Sequence, residues 1–206
     1  DGKVDIYTGL NGLTLEFLKN TPPARVFEGN IVPVVIKARN KGAYNIKEEK
    51  AVISIAAEKD YTKSVTLLKG GRVEQFESLS NAAAFTLDGK SRINPNGEEE
   101  VISYNIAAGK IDPQSELHQS TVIATLCYPY ETMLSSNVCI DTDINNLRPA
   151  KKVCQLQDLT FSNGQGAPVA ITKVEINMLP SQVEGELEAN PKIFPQFLIY
   201  VEDKGQ

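Results

Sequence analysis

One ordered set of signals occurs twice in this chain, and it restricts the fold more than any other feature. In the first occurrence, Leu13-Thr14-Leu15-Glu16-Phe17 leads through Pro22-Pro23 to Ile31-Val32-Pro33. The apolar run Val34-Val35-Ile36-Lys37-Ala38 follows and stops at Asn40-Lys41-Gly42. In the second, Val169-Ala170-Ile171-Thr172-Lys173-Val174 leads through Leu179-Pro180 to Ile193-Phe194-Pro195. Another apolar run, Phe197-Leu198-Ile199-Tyr200-Val201, stops at Asp203-Lys204-Gly205. Proline lacks an N–H and so sits at strand starts, edges and bulges. Two apolar strands that both open on Ile-x-Pro and close on Lys-Gly read as tandem copies of one β-module. The second copy holds too few strands to close a sandwich core. Either more chain follows it, or a neighbour supplies the missing strands.

The rest of the chain is punctuated in the same way. Short β-branched or alternating segments at 4–8, 13–18, 31–39, 51–57, 63–68, 83–87, 100–106, 120–128, 137–142, 154–161, 168–177 and 196–202 predict strands. Turn signals such as Asn11-Gly12, Asp88-Gly89, Asn96-Gly97 and Asn163-Gly164 separate them, which is the pattern of a sandwich or barrel. Ile102, Tyr104 and Ile106 fall on one face of their strand, and Val122, Ala124, Leu126 and Tyr128 on one face of theirs. Two packed antiparallel sheets require this one-sided burial. The stretch 72–83 predicts a short helix or a long loop. The expectation is an all-β chain in three parts: a sandwich over 1–146, a connecting segment with a short strand over 147–167, and the opening strands of a second, incomplete sandwich over 168–206.

Several function classes lack their residues. At a net charge of −5, with Lys and Arg dispersed, there is no basic stripe of the kind nucleic-acid binding needs. Glu98-Glu99-Glu100 and Lys47-Glu48-Glu49-Lys50 read as solvated loops. No apolar run is long enough to cross a bilayer. Residue 1 is Asp rather than Met, so either the N-terminus is processed, as by removal of a signal peptide, or the chain is an excerpt. His118 is the single histidine, so any His-dependent triad would have to use it. Asp112, Ser115, Glu116 and Ser120 are near it in sequence only. Gly164-Gln165-Gly166 runs into Ala167-Pro168 and a strand, so it lacks the helix N-terminus of a phosphate loop. No catalytic residues are expected.

Cys127, Cys139 and Cys154 carry the redox question. If the chain turns near Met133, Cys127 and Cys139 face each other across a hairpin, and a bridge there would place the protein in an oxidising compartment. Cys154 is then the unpaired thiol; pairing with Cys139 or Cys127, or with another chain, stays open. Asp141, Asp143 and Asn145 cluster oxygen ligands at the module boundary. That is a weak calcium candidate, against the alternative of a strand end with turn-forming residues; no other cofactor is expected.

The run Val34 to Gly42, a strand ending in Asn-Lys-Gly and followed by further aliphatic strands, resembles the immunoglobulin-like modules of the CARDB type. These occur in tandem in secreted and cell-surface proteins of archaea and bacteria. The stretches Thr125-Leu126-Cys127-Tyr128-Pro129-Tyr130, Val138 to Asp143 and Gly164 to Val169 also resemble surface proteins of small-genome archaea. The resemblance covers most of 12–145 and the opening of the next module. It implies a non-catalytic extracellular structural or adhesive role in a surface layer, stalk or filament. The partners would be copies of itself or other cell-surface proteins, joined by strand addition. Val4 and Ile6 are candidate donor positions in that scheme, unless Val4-Asp5-Ile6-Tyr7 is the first strand of its own module. Two alternatives remain: a glycan- or protein-binding module using Tyr128 and Tyr130, or an accessory domain of a larger secreted enzyme.

Overall fold

The computed structural model describes residues 5–70, 72–76, 79–143, 151–180 and 193–205. Among these residues lie eleven strands: β1 (Leu13–Phe17), β2 (Ile31–Asn40), β3 (Ile46–Ala57), β4 (Thr62–Lys69), β5 (Arg72–Phe76), β6 (Leu79–Leu87), β7 (Glu99–Ala108), β8 (Val122–Cys127), β9 (Leu159–Thr160), β10 (Val169–Pro180) and β11 (Ile193–Asp203). They form two four-stranded sheets, in the orders β1-β2-β7-β4 and β5-β6-β3-β8, and a three-stranded sheet, β11-β10-β9. Every strand pairing is antiparallel. The only helical element among the described residues is a single 3-10 turn, Lys59–Tyr61.

The two four-stranded sheets share one core and make a β-sandwich. Val34, Ile36 and Ala38 of β2 and Ile102, Tyr104 and Ile106 of β7 supply one inner face. Ile46, Ala51, Ile53 and Ile55 of β3 and Ala83, Phe85 and Leu87 of β6 supply the other. Tyr104 is fully buried and its hydroxyl donates across the sandwich to the Ile53 carbonyl at 3.4 Å. Burial pushes that phenol up to about 12, so it stays neutral. At 3.4 Å the bond is long, so Tyr104→Phe should cost no more than about 1 kcal/mol in urea unfolding; a larger loss would mean the hydroxyl has a second role.

Several sequence expectations differ from what forms. The stretch 72–83 is neither helix nor loop but β5 and the start of β6. The Ala82-Ala83-Ala84 run is buried throughout; β6 lies between β5 and β3, with Ala83 opposite Ile53. Residues 5–8 are not a strand, and 137–142 run without strand pairing. Of 154–161 only Leu159–Thr160 pairs. The run Lys47 to Lys50 lies inside β3, where the pairing with β6 skips from Ile46 to Ala51.

β10 and β11 repeat the geometry of β1 and β2. Leu13, the first residue of β1, faces Asn40, the last of β2; Val169, the first of β10, faces Asp203, the last of β11. The turns beyond agree in detail. Lys41 N–H donates to the Gly12 carbonyl at 2.9 Å, and Lys204 N–H to the Pro168 carbonyl at 2.8 Å. Gly42 N–H donates to Asn40 Oδ1 at 3.1 Å, and Gly205 N–H to Asp203 Oδ1 at 3.0 Å. Counted back from these turns, Val32, Val34, Ile36 and Ala38 correspond to Pro195, Phe197, Ile199 and Val201. The two Ile-x-Pro signals are therefore offset by one residue; the shared geometry lies at the turn end of the hairpins.

Candidate functional site

The features that separate this chain from a plain sandwich sit where the sandwich meets the β9–β11 sheet. The sequence folds tightly there because glycines let backbones touch. Ala43 N–H donates to the Gly166 carbonyl (2.8 Å), Gly166 N–H to the Gly9 carbonyl (2.8 Å) and Gly9 N–H to the Asn163 carbonyl (2.7 Å). Tyr130 Oη donates to the same Gly166 carbonyl at 3.0 Å and accepts from Tyr44 N–H at 3.4 Å. Its ring lies 5.6 Å from that of Tyr44 and 5.8 Å from that of Tyr128. Burial pushes Tyr130 up to about 12 and raises Tyr128. Both tyrosines are thus structural members of the joint, half-buried and hydrogen-bonded through their hydroxyls, Tyr128 to the Leu13 carbonyl at 3.5 Å.

The Gly164–Pro168 turn belongs to this joint. Gln165 is buried and both ends of its amide are held by Ile171: Ile171 N–H donates to Oε1 at 2.8 Å and Nε2 donates to the Ile171 carbonyl at 3.1 Å. Thr132 Oγ1 donates to the Val169 carbonyl at 2.6 Å. Asn40, fully buried, closes the loop from the sandwich side. Its Nδ2 donates to the Tyr44 carbonyl at 2.7 Å and the Leu87 carbonyl at 3.2 Å.

The two faces of the β10–β11 hairpin differ in kind. On one, Lys173 pairs with Glu175 (2.5 Å) and Asp158 (3.5 Å) and lies 5.6 Å from the centre of the Tyr200 ring. Thr172, at the bulge in β10, donates to Glu202 at 2.8 Å. The other face carries Val174, Ile176 and Met178 opposite Ile199, Phe197 and Pro195. Ile176 and Met178 are buried. Phe197, Ile199 and Val201, by contrast, are 41, 59 and 59% exposed, although their counterparts Val34, Ile36 and Ala38 are completely buried.

A separate cleft of about 700 Å³ opens between β1 and the end of β8. Leu13, Leu15, Leu126 and Tyr128 form its apolar floor, and Lys37, Arg39 and Lys41 its basic rim. Lys37 pairs with Glu16 at 3.3 Å. Arg39 Nε stands 3.9 Å from Glu99, within ion-pair reach but too far for a hydrogen bond.

The cysteines pair differently from the expectation. Cys139 bonds Cys154, at a sequence separation of 15, and Cys127 is the free, exposed thiol. The expected Cys127–Cys139 hairpin fails because residues 128–143 form no return strand and because alternation along β8 turns Leu126 inward and Cys127 outward. A bridge over this separation is worth about 3 kcal/mol in the chain-entropy model. The Cys139→Ser/Cys154→Ser variant should lose stability of that order on chemical denaturation. In the native wild type, a thiol reagent should modify one cysteine, Cys127, and no other; a second label would contradict the pairing.

The other sequence candidates are placed as follows. Asp141 Oδ2 is taken by Lys152 Nζ at 2.5 Å and Oδ1 by Asp143 N–H at 2.9 Å, while Lys152 also donates to the Asp143 carbonyl at 2.8 Å. A lysine ammonium thus stands where the calcium expectation needed a metal, and Asn145 lies outside the described residues. Among the described residues no group of three or more His, Cys, Asp and Glu could hold a metal ion. Ile6 sits in the segment fastened at the joint, where Lys90 Nζ also donates to the Thr8 carbonyl at 2.5 Å; Val4 lies outside the described residues.

His118 was the one candidate for base chemistry. Its Nε2 meets Glu58 Oε2 at 2.7 Å, and its ring stacks on Tyr61 with centroids 3.7 Å apart. Ser120 donates to Glu58 at 2.9 Å rather than to His118. The bonds from His118 and then Ser120 hold the Glu58 carboxyl below its usual value. A depressed carboxylate stabilises the fold above its ordinary value of about 4.3, and this is lost as pH falls through the folded value. In His118→Ala the Glu58 midpoint followed by NMR should therefore rise; an unchanged midpoint would remove His118 as the cause.

Compared with protein-family models, curated proteins and solved structures, the chain matches none.

Proposed function

We propose that this chain is a non-catalytic structural or adhesive protein of an extracellular surface, a subunit of a layer, stalk or filament. It is built from tandem immunoglobulin-like β-sandwich modules of the CARDB kind and joins neighbouring cell-surface chains by strand addition. The observation that carries this reading is the duplicated hairpin. β10–β11 reproduces the register and turn of β1–β2, yet it turns outward the face that β2 buries. The joint supports it too, because Ala43 N–H and the Tyr130 hydroxyl both donate to the Gly166 carbonyl and so tie the two parts together, as load transfer along a chain of modules needs. The Cys139–Cys154 bridge suits an oxidising compartment, and no helix of the described residues is long and apolar enough to cross a membrane.

The compartment is tested by trapping thiols with an alkylating agent in intact source cells before lysis. The expected result is Cys139 and Cys154 protected and Cys127 alkylated, with the chain cleaved by protease added outside the cells. Three alkylated cysteines in a protease-resistant chain would sink the extracellular reading. A second reading, a binding module, draws on the basic-rimmed cleft at Leu13 and Tyr128; it requires a saturable acidic ligand whose binding Arg39→Ala weakens.

A further inference from the structure

A second cleft, of about 490 Å³, opens where the segment 5–8 meets the turns at 133–135 and 160–165. Hydrogen bonds hold its walls in place. Gly9 N–H donates to the Asn163 carbonyl at 2.7 Å, and Phe161 N–H to the Thr172 carbonyl at 2.9 Å. Tyr7 N–H donates to Asp5 Oδ1 and Thr8 Oγ1 to the Asp5 carbonyl, both at 3.1 Å. Gly164 (φ +66°) lets two walls meet, since a methyl there would stand 2.3 Å from the Gly9 carbonyl oxygen. Gln165, the buried member of the lining, is held by Ile171 at both ends of its amide. The cleft is therefore formed in advance, and a ligand entering it has little of the chain to order. Its size lies within the range of small-ligand sites.

We propose that this cleft binds a neutral sugar unit of a glycan. Two kinds of lining surface define that ligand. Tyr7, 46% exposed, and the half-buried Phe161 bring aromatic rings to the cleft, and an aromatic body packs against an apolar surface such as the C–H face of a sugar. Beside them stand polar groups with no protein partner among the described residues: the Ser135 and Thr160 hydroxyls, Asn163 Nδ2 and Asp5 Oδ2. Donors and acceptors are both present, as the hydroxyl groups of a sugar require. A wholly apolar ligand would bury these groups without partners. An anion fits no better. Asp5 is the only charged side chain among the described lining residues, so a phosphate or carboxylate would meet a like charge and no cation. Lys90 Nζ is held by the Thr8 carbonyl and does not line the cleft. The aromatic pair that the sequence offered for a glycan, Tyr128 and Tyr130, is instead bonded into the joint.

The probes are chitotriose, mannotriose and maltotriose, with trigalacturonate as an anionic counterpart, each titrated into the whole 206-residue chain and followed by amide NMR shifts. At least one neutral trisaccharide is expected to give saturable shifts at Tyr7, Ser135, Asn163 and Gly164. Trigalacturonate should bind about 5-fold more weakly than that sugar, the scale of one exposed like-charge contact. Tyr7→Ala should weaken binding at least ~10-fold, as loss of an aromatic anchor does, whereas Tyr7→Phe keeps the ring and should stay within about 3-fold. Thr160→Val, which removes one exposed hydroxyl, should weaken it by about 2–10-fold. Both side chains are exposed, so the variants keep the fold, which their amide spectra check. Failure of all three neutral sugars to saturate those shifts overturns the proposal. So does tighter binding of trigalacturonate, undiminished binding by Tyr7→Ala, or shifts confined to the cleft at Leu13 and Tyr128. Binding in vitro does not depend on the compartment, which the alkylation experiment tests, so failure of one does not entail failure of the other.

Discussion

Asn40→Asp is expected to destabilise the sandwich by about 3–5 kcal/mol at neutral pH, the range for burying a charge without a partner. Asn40 is fully buried and its Nδ2 serves two carbonyls, those of Tyr44 and Leu87. An aspartate there has no proton to give and would set its charge against both. Asn40→Ala, which leaves the same carbonyls unpaired without adding charge, should cost about 2–3 kcal/mol. Burial raises the pKa of the introduced carboxyl. Its protonated form, able to donate one bond, gains as pH falls, so the deficit of Asn40→Asp should shrink on acidification. The duplicate position behaves otherwise. Asp203 is exposed and its Oδ1 only accepts from Gly205 N–H, a role either residue fills, so Asp203→Asn should stay within about 0.5 kcal/mol. Urea unfolding of both variants measures the contrast; equal costs would show that the two turns sit in equivalent surroundings.

Gly42→Ala should open the joint. A methyl group there would fall on Tyr130 Oη and stand 2.5 Å from the Gly166 carbonyl oxygen, so tyrosine, backbone or both must move. Overpacking of this kind costs about 1–3 kcal/mol, and displacing Tyr130 also breaks its bond to Gly166, worth roughly another 1 kcal/mol. The expected total is about 2–4 kcal/mol, with amide shifts at Ala43 and Gly166. Tyr130→Phe alone should cost about 1 kcal/mol. The double variant should be less than additive, since removing the hydroxyl removes the nearest obstacle to the methyl. Strict additivity would mean that Gly42 and Tyr130 do not meet.

The sandwich was legible where alternation was strong. Ile102, Tyr104 and Ile106 announce the inner face of β7, and all three are buried. The end of β6 was legible as the strand 83–87, but β5 and the start of β6 were not, because Ala82-Ala83-Ala84 has the local preference of a helix and pairing with β3 and β5 makes it a strand. The joint was half legible. Its glycines and Tyr128-Tyr130 stood out as residues, but their meeting joins Gly9, Gly42, Tyr130 and Gly166, which lie far apart in sequence. The disulfide was misassigned for want of one check: a strand that turns Leu126 inward must turn Cys127 out. The duplicated hairpin was visible as a repeat, although its register came from the turns Asn40-Lys41-Gly42 and Asp203-Lys204-Gly205 and not from the prolines. Which face of β11 is the inner one follows only once that register is known.

Amide hydrogen exchange along β2 and β11 of the same protein tests the duplicated but open hairpin most directly. β2 is paired on both edges, so its amides from Val32 to Arg39 should exchange slowly, near the limit set by global unfolding. Along β11, amides bonded to β10 should be protected while those on the free edge exchange at least ~100-fold faster, a two-residue alternation between Phe197 and Glu202. Uniform protection of β11 at the level of β2 would contradict the account, because it would mean that the edge read as free is already paired.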